Sequence, residues 1–321
     1  MQINKRSLEF FPVQLFAVVM GFSGFVIALA KAYHLIDMPY IVYETLLFVD
    51  TALFFTIFVL YMIKLFLYPQ AVKKEFYHPI KSAFMATISI SFLLLSIAYY
   101  DYAPTVSILF WYIGAPLQLV FTFIVLRYWI INQFEIVHSN PAWFIPIVGN
   151  LLVPVVGVDA APLYVSLFFF SIGLFFWLVL FTIMLYRIIF HHPLAKKLVP
   201  TFFIFIAPPA VAFISYFRIT NGSIDMMSLF LYSIAFFTFV LLLLLMKIYD
   251  RKEFFISWWA YTFPLAAITI ATLLIYMTYH STLFYLLSLG MITITTFVIC
   301  FVMQRTLKEC MAGNICVEEI G

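Results

Sequence analysis

An all-α integral membrane protein with ten transmembrane helices is the fold class this sequence predicts, and three observations predict it. The first is composition. Of 321 residues, 66% are hydrophobic and 10% charged, where a soluble domain carries about 25% charged residues. So little charge cannot clothe a water-facing surface. The second is a series of ten apolar stretches, at 11–32, 41–67, 79–99, 104–129, 141–156, 162–189, 199–218, 225–247, 257–279 and 283–304. Most reach the roughly 20 residues that a helix needs to cross a bilayer. The third is the placement of the 17 Lys and Arg residues. The N-terminal tail, the connections after the even stretches and the C-terminal tail hold all of them except Lys31 and Arg218. An odd number of spans would mix the two sets. The positive-inside rule then places both termini in the cytoplasm.

The expected organisation is a short cytoplasmic tail at 1–10, one membrane domain at 11–306 and a cytoplasmic tail at 307–321. The first stretch imitates a secretory signal, with Lys5 and Arg6 ahead of an apolar run ending Ala28-Leu29-Ala30. A signal core is about 7–15 residues long, and this run is longer, so it reads as the first span. The 40 Phe and 20 Tyr residues suit lipid-facing helices with rings at the interfaces.

The spans differ by parity. Even spans are Leu, Phe, Ile and Val almost throughout, whereas odd spans carry prolines and small or hydroxyl residues at helical spacing. The first has Gln14, Ala17, Gly21, Gly24 and Ala28; the third has Ser82, Ala86 and Ser89. The fifth has Ala142, Pro146, Gly149, Asn150 and Gly157; the seventh has Thr201, Pro208, Ala212 and Ser215. The ninth turns Thr262, Ala266 and Thr269 to one face, with Phe263 as their bulky neighbour. Odd spans start at 11, 79, 141, 199 and 257, a degenerate hairpin repeat. The expected architecture is five helical hairpins, with the five odd helices as an inner ring lining a passage and the five even helices outside. Small residues at such spacing also let membrane helices pack closely with no passage at all. Five spans in alternation, each with prolines or polar groups, favour the passage.

Five motifs on the odd spans carry a family resemblance. They are W-W-A-Y-T-F-P at 258–264, E-F-Y-H-P-I-K at 75–81, Asn140-Pro141 followed by V-G-N at 148–150, F-I-A-P-P-A at 205–210, and Phe11-Pro12 with Gly21. Together they resemble the tellurite-resistance and slow-type anion channel family over nearly the whole chain. The resemblance implies five hairpins around a central pore, a homotrimer with one pore per protomer, and a pore closed by the ring of Phe263. It also implies small inorganic or organic anions as cargo: chloride or nitrate through a channel, or a C4-dicarboxylate such as malate, sulfite or a tellurite-related species through a carrier. Tails this short make regulation by a kinase at long termini an expectation the sequence does not support.

The expected pore lining is Gln14, Gly21, Gly24, Ser82, Ala86, Ser89, Pro146, Gly149, Asn150, Pro208, Ala212, Ser215, Thr262, Ala266 and Thr269, with no Lys or Arg at mid-depth. A fixed cation about 4 Å from an anion is worth about 4 kcal/mol at an effective dielectric of 20, and flux requires sites weak enough to leave. Neutral donors and helix ends created at Pro146, Pro208, Pro209 and Pro264 attract anions more mildly. Such a pore favours easily dehydrated monovalent anions. His78 and Lys81 stand at the cytoplasmic mouth, either as an anion-gathering vestibule or as a helix cap and a lysine reaching lipid headgroups.

Asp50 lies about ten residues into the second span, where a charge costs about 2.5–3.5 kcal/mol. It is either protonated or hydrogen-bonded to its hairpin partner, and a proton-coupled carrier would use it. No metalloprotease, hydrolase or phosphate-loop motif occurs, and the six His residues are scattered at helix ends. Cys300 reads as a small packing residue in an apolar stretch, and Cys310 and Cys316 lie in a short polar tail with no His nearby at ligand spacing. The sequence therefore predicts neither an enzyme, nor a cofactor or metal site, nor a nucleic-acid partner. Its basic residues border membrane helices, where anionic lipid is the simpler partner.

Overall fold

The computed structural model describes residues 7–33, 35–36, 38–245 and 253–317. Lys5, Arg6, His34, Lys247, Arg251 and Lys252 lie outside the described residues. Ten helices are long and apolar enough to cross a membrane. In chain order they are α1 (Val13–Ala32), α2 (Tyr40–Leu67), α3 (Lys81–Tyr99), α4 (Pro104–Ile131), α5 (Pro141–Ala160), α6 (Leu163–Phe190), α7 (Lys196–Ile219), α8 (Met226–Leu244), α9 (Ile256–Tyr279) and α10 (Thr282–Ala312). Two bounds differ notably from expectation. α5 continues to Ala160 because Pro154 sits in the first turn of a new helical segment, where its missing N–H costs nothing. α10 continues into the expected tail and stops at Ala312, capped by Gly313 at φ 72°.

Parity governs both regularity and burial. The even spans are continuous α-helices. Each odd span instead opens irregularly: α1, α5, α7 and α9 begin in 3-10 turns, and α3 begins in a single short turn, Lys81–Phe84. Proline is the main cause, since Pro141, Pro146, Pro200 and Pro208 each remove a backbone donor and restrict the preceding residue. Of the most apolar window in each odd span, 67–94% is buried, against 28–39% in the even spans. Phe55, Phe123, Phe175, Phe237 and Phe297 expose a ring from each even span in turn, an arrangement that suits lipid or another protein surface rather than water.

Each odd span packs on the even span that follows it, α1 on α2 through α9 on α10. The odd spans also pack on one another: α1 on α3 and α9, α5 on α3 and α7, α7 on α9. Glycine makes the α1–α9 contact possible. A Cβ on Gly21 would collide with the Thr262 hydroxyl and lie 2.9 Å from the Trp259 ring, whereas one on Gly24 would lie 3.0 Å from the Ala266 Cβ. Gly21→Ala is therefore expected to cost about 1–3 kcal/mol, and Gly24→Ala less. Thermal unfolding of the two purified variants checks the order.

A central cavity lined by the odd spans

A cavity of about 60 Å³ lies among the odd spans, room for a few waters or one small anion. All five odd spans reach it: α1 through Ala17 and Met20, α3 through Phe84 and Ile90, α5 through Val148 and Gly149, α7 through Ala207 and Val211, and α9 through Phe263 and Pro264. Ala17 and Phe263 are part-exposed although the residues on either side of each are buried. The surface these two show therefore faces the cavity. The wall is almost wholly apolar; among the described residues that line it, Ser257 alone carries a side-chain hydroxyl and none is charged.

Of the residues expected to line a pore, Gly149 and Phe263 border this cavity. The expected hydroxyls and amides do not, and most of them are drawn to a nearby carbonyl or polar partner instead. Thr262 donates to the Trp259 carbonyl at 2.7 Å, Thr269 donates to the Leu265 carbonyl at 2.7 Å and shares a hydrogen bond with Thr295 of α10, and Ser215 donates to the Leu151 carbonyl. Ser89 donates to Gln118 Oε1 of α4 at 2.7 Å. Gly21, Gly24 and Ala266 occupy the α1–α9 contact. Ala86, Ala212, Pro146 and Pro208 are buried in their own spans. Gln14 Oε1 and Ser82 Oγ are buried without a partner near the starts of α1 and α3.

Sequence reasoning missed the polar groups on even spans. Gln118 Nε2 and Thr122 Oγ1 both donate to the Pro146 carbonyl, at 2.9 and 2.8 Å, where α5 tightens into the 3-10 turn Gly149–Leu152. Asn150 donates to Thr122 Oγ1 and to the Ile147 carbonyl, both at 2.8 Å. The signal was present: Gln118 and Thr122 are four apart on one face of an otherwise apolar helix.

A second missed cluster lies at the end of α2. Lys64 is 1% exposed, pairs with Glu75 Oε1 at 3.0 Å and donates to the Phe11 carbonyl at 2.7 Å. Tyr61 donates to Glu75 Oε2 at 2.9 Å. Glu75 ends the short helix Pro69–Phe76, so the cluster joins the starts of α1 and α3 to the end of α2. His78 Nδ1 accepts from the backbone N–H groups of Ile80 and Lys81, at 3.1 and 3.2 Å, and so caps the start of α3.

At the opposite face, the two cations set apart in the sequence both meet carboxylates. Lys31 pairs with Asp101 at 2.9 Å. Arg218 pairs with Asp159, donates to the Val155 carbonyl at 2.9 Å and lies 4.8 Å over the Tyr100 ring, tying α7 to α5 and α3. Asp50 is fully buried and hydrogen-bonded to its hairpin partner: Ser23 of α1 donates to its Oδ2 at 2.6 Å, while its Oδ1 has no partner. Among the described residues no group of three or more His, Cys, Asp or Glu is placed to hold a metal ion.

Ten apolar helices whose even spans expose apolar rings, with an apolar cavity among the odd spans, define an integral membrane protein built around a narrow space. Residues 10–307 match the family model described as voltage-dependent anion channel, and the chain belongs to that family. The S-type anion channel SLAH3 of Arabidopsis thaliana is 30% identical over 92% of this chain and 48% of its own length. The uncharacterized transporter MJ0762 of Methanocaldococcus jannaschii is 25% identical over 95% of this chain and 96% of its own. The tellurite resistance protein TehA homolog of Haemophilus influenzae is 25% identical over 80% of this chain and 78% of its own. The chain spans about half the length of the plant channels with which it aligns over most of its own length.

Proposed function

We propose that the chain is an anion-selective channel whose five odd spans form an inner ring around a bore, with the even spans outside as the second halves of five hairpins. Phe263 is its plug. The observation that carries this reading is the cavity, to which every odd span contributes and on whose wall Phe263 stands with exposed ring surface. The cycle of contacts among odd spans supports it, as does membership of the anion channel family.

The cargo in this reading is a small monovalent anion such as chloride or nitrate. An apolar wall cannot replace a tightly held hydration shell, so weakly hydrated anions pass more readily than sulfate or fluoride. Attraction comes from the positive ends of the helical segments that start anew at Ile145, Ala207 and Thr262. In this reading the small and hydroxyl residues of the odd spans line the bore along the rest of its length, and His78 and Lys81 form the cytoplasmic vestibule. The Lys/Arg-rich face is cytoplasmic, the membrane is the plasma or inner membrane, and the assembly is a homotrimer. Purified protein in a planar bilayer tests the reading: an ohmic current reversing at the anion equilibrium potential supports it, and a cation-selective or absent current in the Phe263→Ala variant rejects it.

One observation favours a second reading, a carrier of a small anion such as malate, sulfite or a tellurite-related species. Asp50 is a fully buried carboxyl with one free oxygen at depth in the membrane. If it couples transport to protons, Asp50→Asn is expected to abolish acceleration of anion uptake by an imposed proton gradient in liposomes. Uptake indifferent to the gradient in the unaltered protein removes the carrier.

A further inference from the structure

The end of α6 holds a cation in a setting unlike the others. Arg187 is 4% exposed, and an arginine side chain is a permanent cation. Its Nη1 donates to the His192 carbonyl at 2.5 Å, its Nε is buried without a partner, and no carboxylate among the described residues lies within ion-pair distance. Lys31, Lys64 and Arg218 each meet an acid; Arg187 meets none. One helical turn further on, His191 Nε2 is also buried without a partner, its ring held edge-on against Tyr186. The connection that follows exposes His192 and Lys197. A hidden cation with an idle donor is costly unless something anionic completes it.

We propose that Arg187 and His191 hold a phosphate oxyanion where α6 leaves the membrane. The guanidinium edge left unpaired at Nε matches the spacing of phosphate oxygens, which reach it once the side chains that cover it shift aside. His191, in its Nε2–H form, supplies a second donor, and the exposed Lys197 adds positive field. The phosphate belongs either to an anionic phospholipid headgroup or to free inorganic phosphate. The connection that follows α6 touches the cavity wall, where Ser257 donates to the Lys197 carbonyl at 2.5 Å. The proposal stands independently of what the cavity conducts.

Native mass spectrometry of the detergent-purified protein with phosphatidylglycerol or phosphatidylcholine, beside thermal unfolding in a titration of inorganic phosphate, tests it. The unaltered protein is expected to retain phosphatidylglycerol over phosphatidylcholine, or to be stabilised by phosphate. Arg187→Gln is expected to weaken that binding about tenfold or more, with Arg187→Lys intermediate because it keeps the charge and loses the fork. His191→Ala weakens it too, and gives the answer if Arg187→Gln does not fold. Selective phosphatidylglycerol retention without a phosphate effect assigns the headgroup, and the reverse assigns free phosphate. Binding of neither by the unaltered protein, or binding unchanged in the Arg187 and His191 variants, overturns the proposal.

Discussion

Phe263→Ala is expected to raise anion conductance by about 30- to 100-fold, equivalent to removing ~2–3 kcal/mol of barrier. The ring shares the cavity wall with Pro264 and with residues of the other odd spans, in a space of about 60 Å³. An anion passing such a ring must shed water without compensation, because the surrounding wall offers one side-chain hydroxyl and no charge. If Phe263 is the plug, truncation to alanine widens the path there and lets the anion keep part of its shell. Phe263→Leu is expected to fall between the two, since it shortens the obstacle and leaves the wall apolar. The fold should survive. Phe263 is part-exposed rather than packed on all sides, so the loss lies below the roughly 3–5 kcal/mol of a core Phe→Ala change. Single-channel recording on monodisperse protein reads the effect. A conductance equal to that of the unaltered protein would make Phe263 an ordinary packing residue.

The largest expected loss of stability comes from breaking the buried pair at the end of α2. Lys64→Met leaves Glu75 with only the Tyr61 hydroxyl to satisfy it and deprives the Phe11 carbonyl of its donor. Removing one partner of a buried pair costs about 3–5 kcal/mol, whereas replacing both by apolar residues of similar size is often neutral. Lys64→Met should therefore unfold at clearly lower temperature than Lys64→Met/Glu75→Leu. Equal losses in the single and double variants would mean that the cluster acts through packing rather than charge. Because this cluster joins α2 to the starts of α1 and α3, the single variant should also loosen the face where the odd spans begin.

Much of the fold was legible because the bilayer leaves few choices. Its thickness sets helix length and backbone satisfaction demands helices, so ten stretches were read and most of their ends lie close to those expected, the far ends of α5 and α10 excepted. The side chains of the site were harder. Thr262, Thr269 and Ser215 sit on spans that reach the cavity, and their periodicity pointed inward. Their hydroxyls are instead spent on nearby carbonyls and on α10, which periodicity does not register. Phe263 was readable, since one large ring beside a small-residue face marks a place where bulk is tolerated. Gln118 and Thr122 were overlooked because the polar group they serve, the Pro146 carbonyl, is freed only by the local tightening of α5.

From the order of residues alone came the membrane class, the number of spans, the alternation of small-faced and apolar helices, and Phe263 as the residue to watch. These follow from hydrophobicity and helical spacing, which are properties of the chain taken locally. Tertiary structure decided which atoms face the cavity, that Lys64 finds Glu75, and that Arg187 is left without an acid. Each of those depends on how separate elements of the chain are brought together in space, and no local pattern in the chain encodes it.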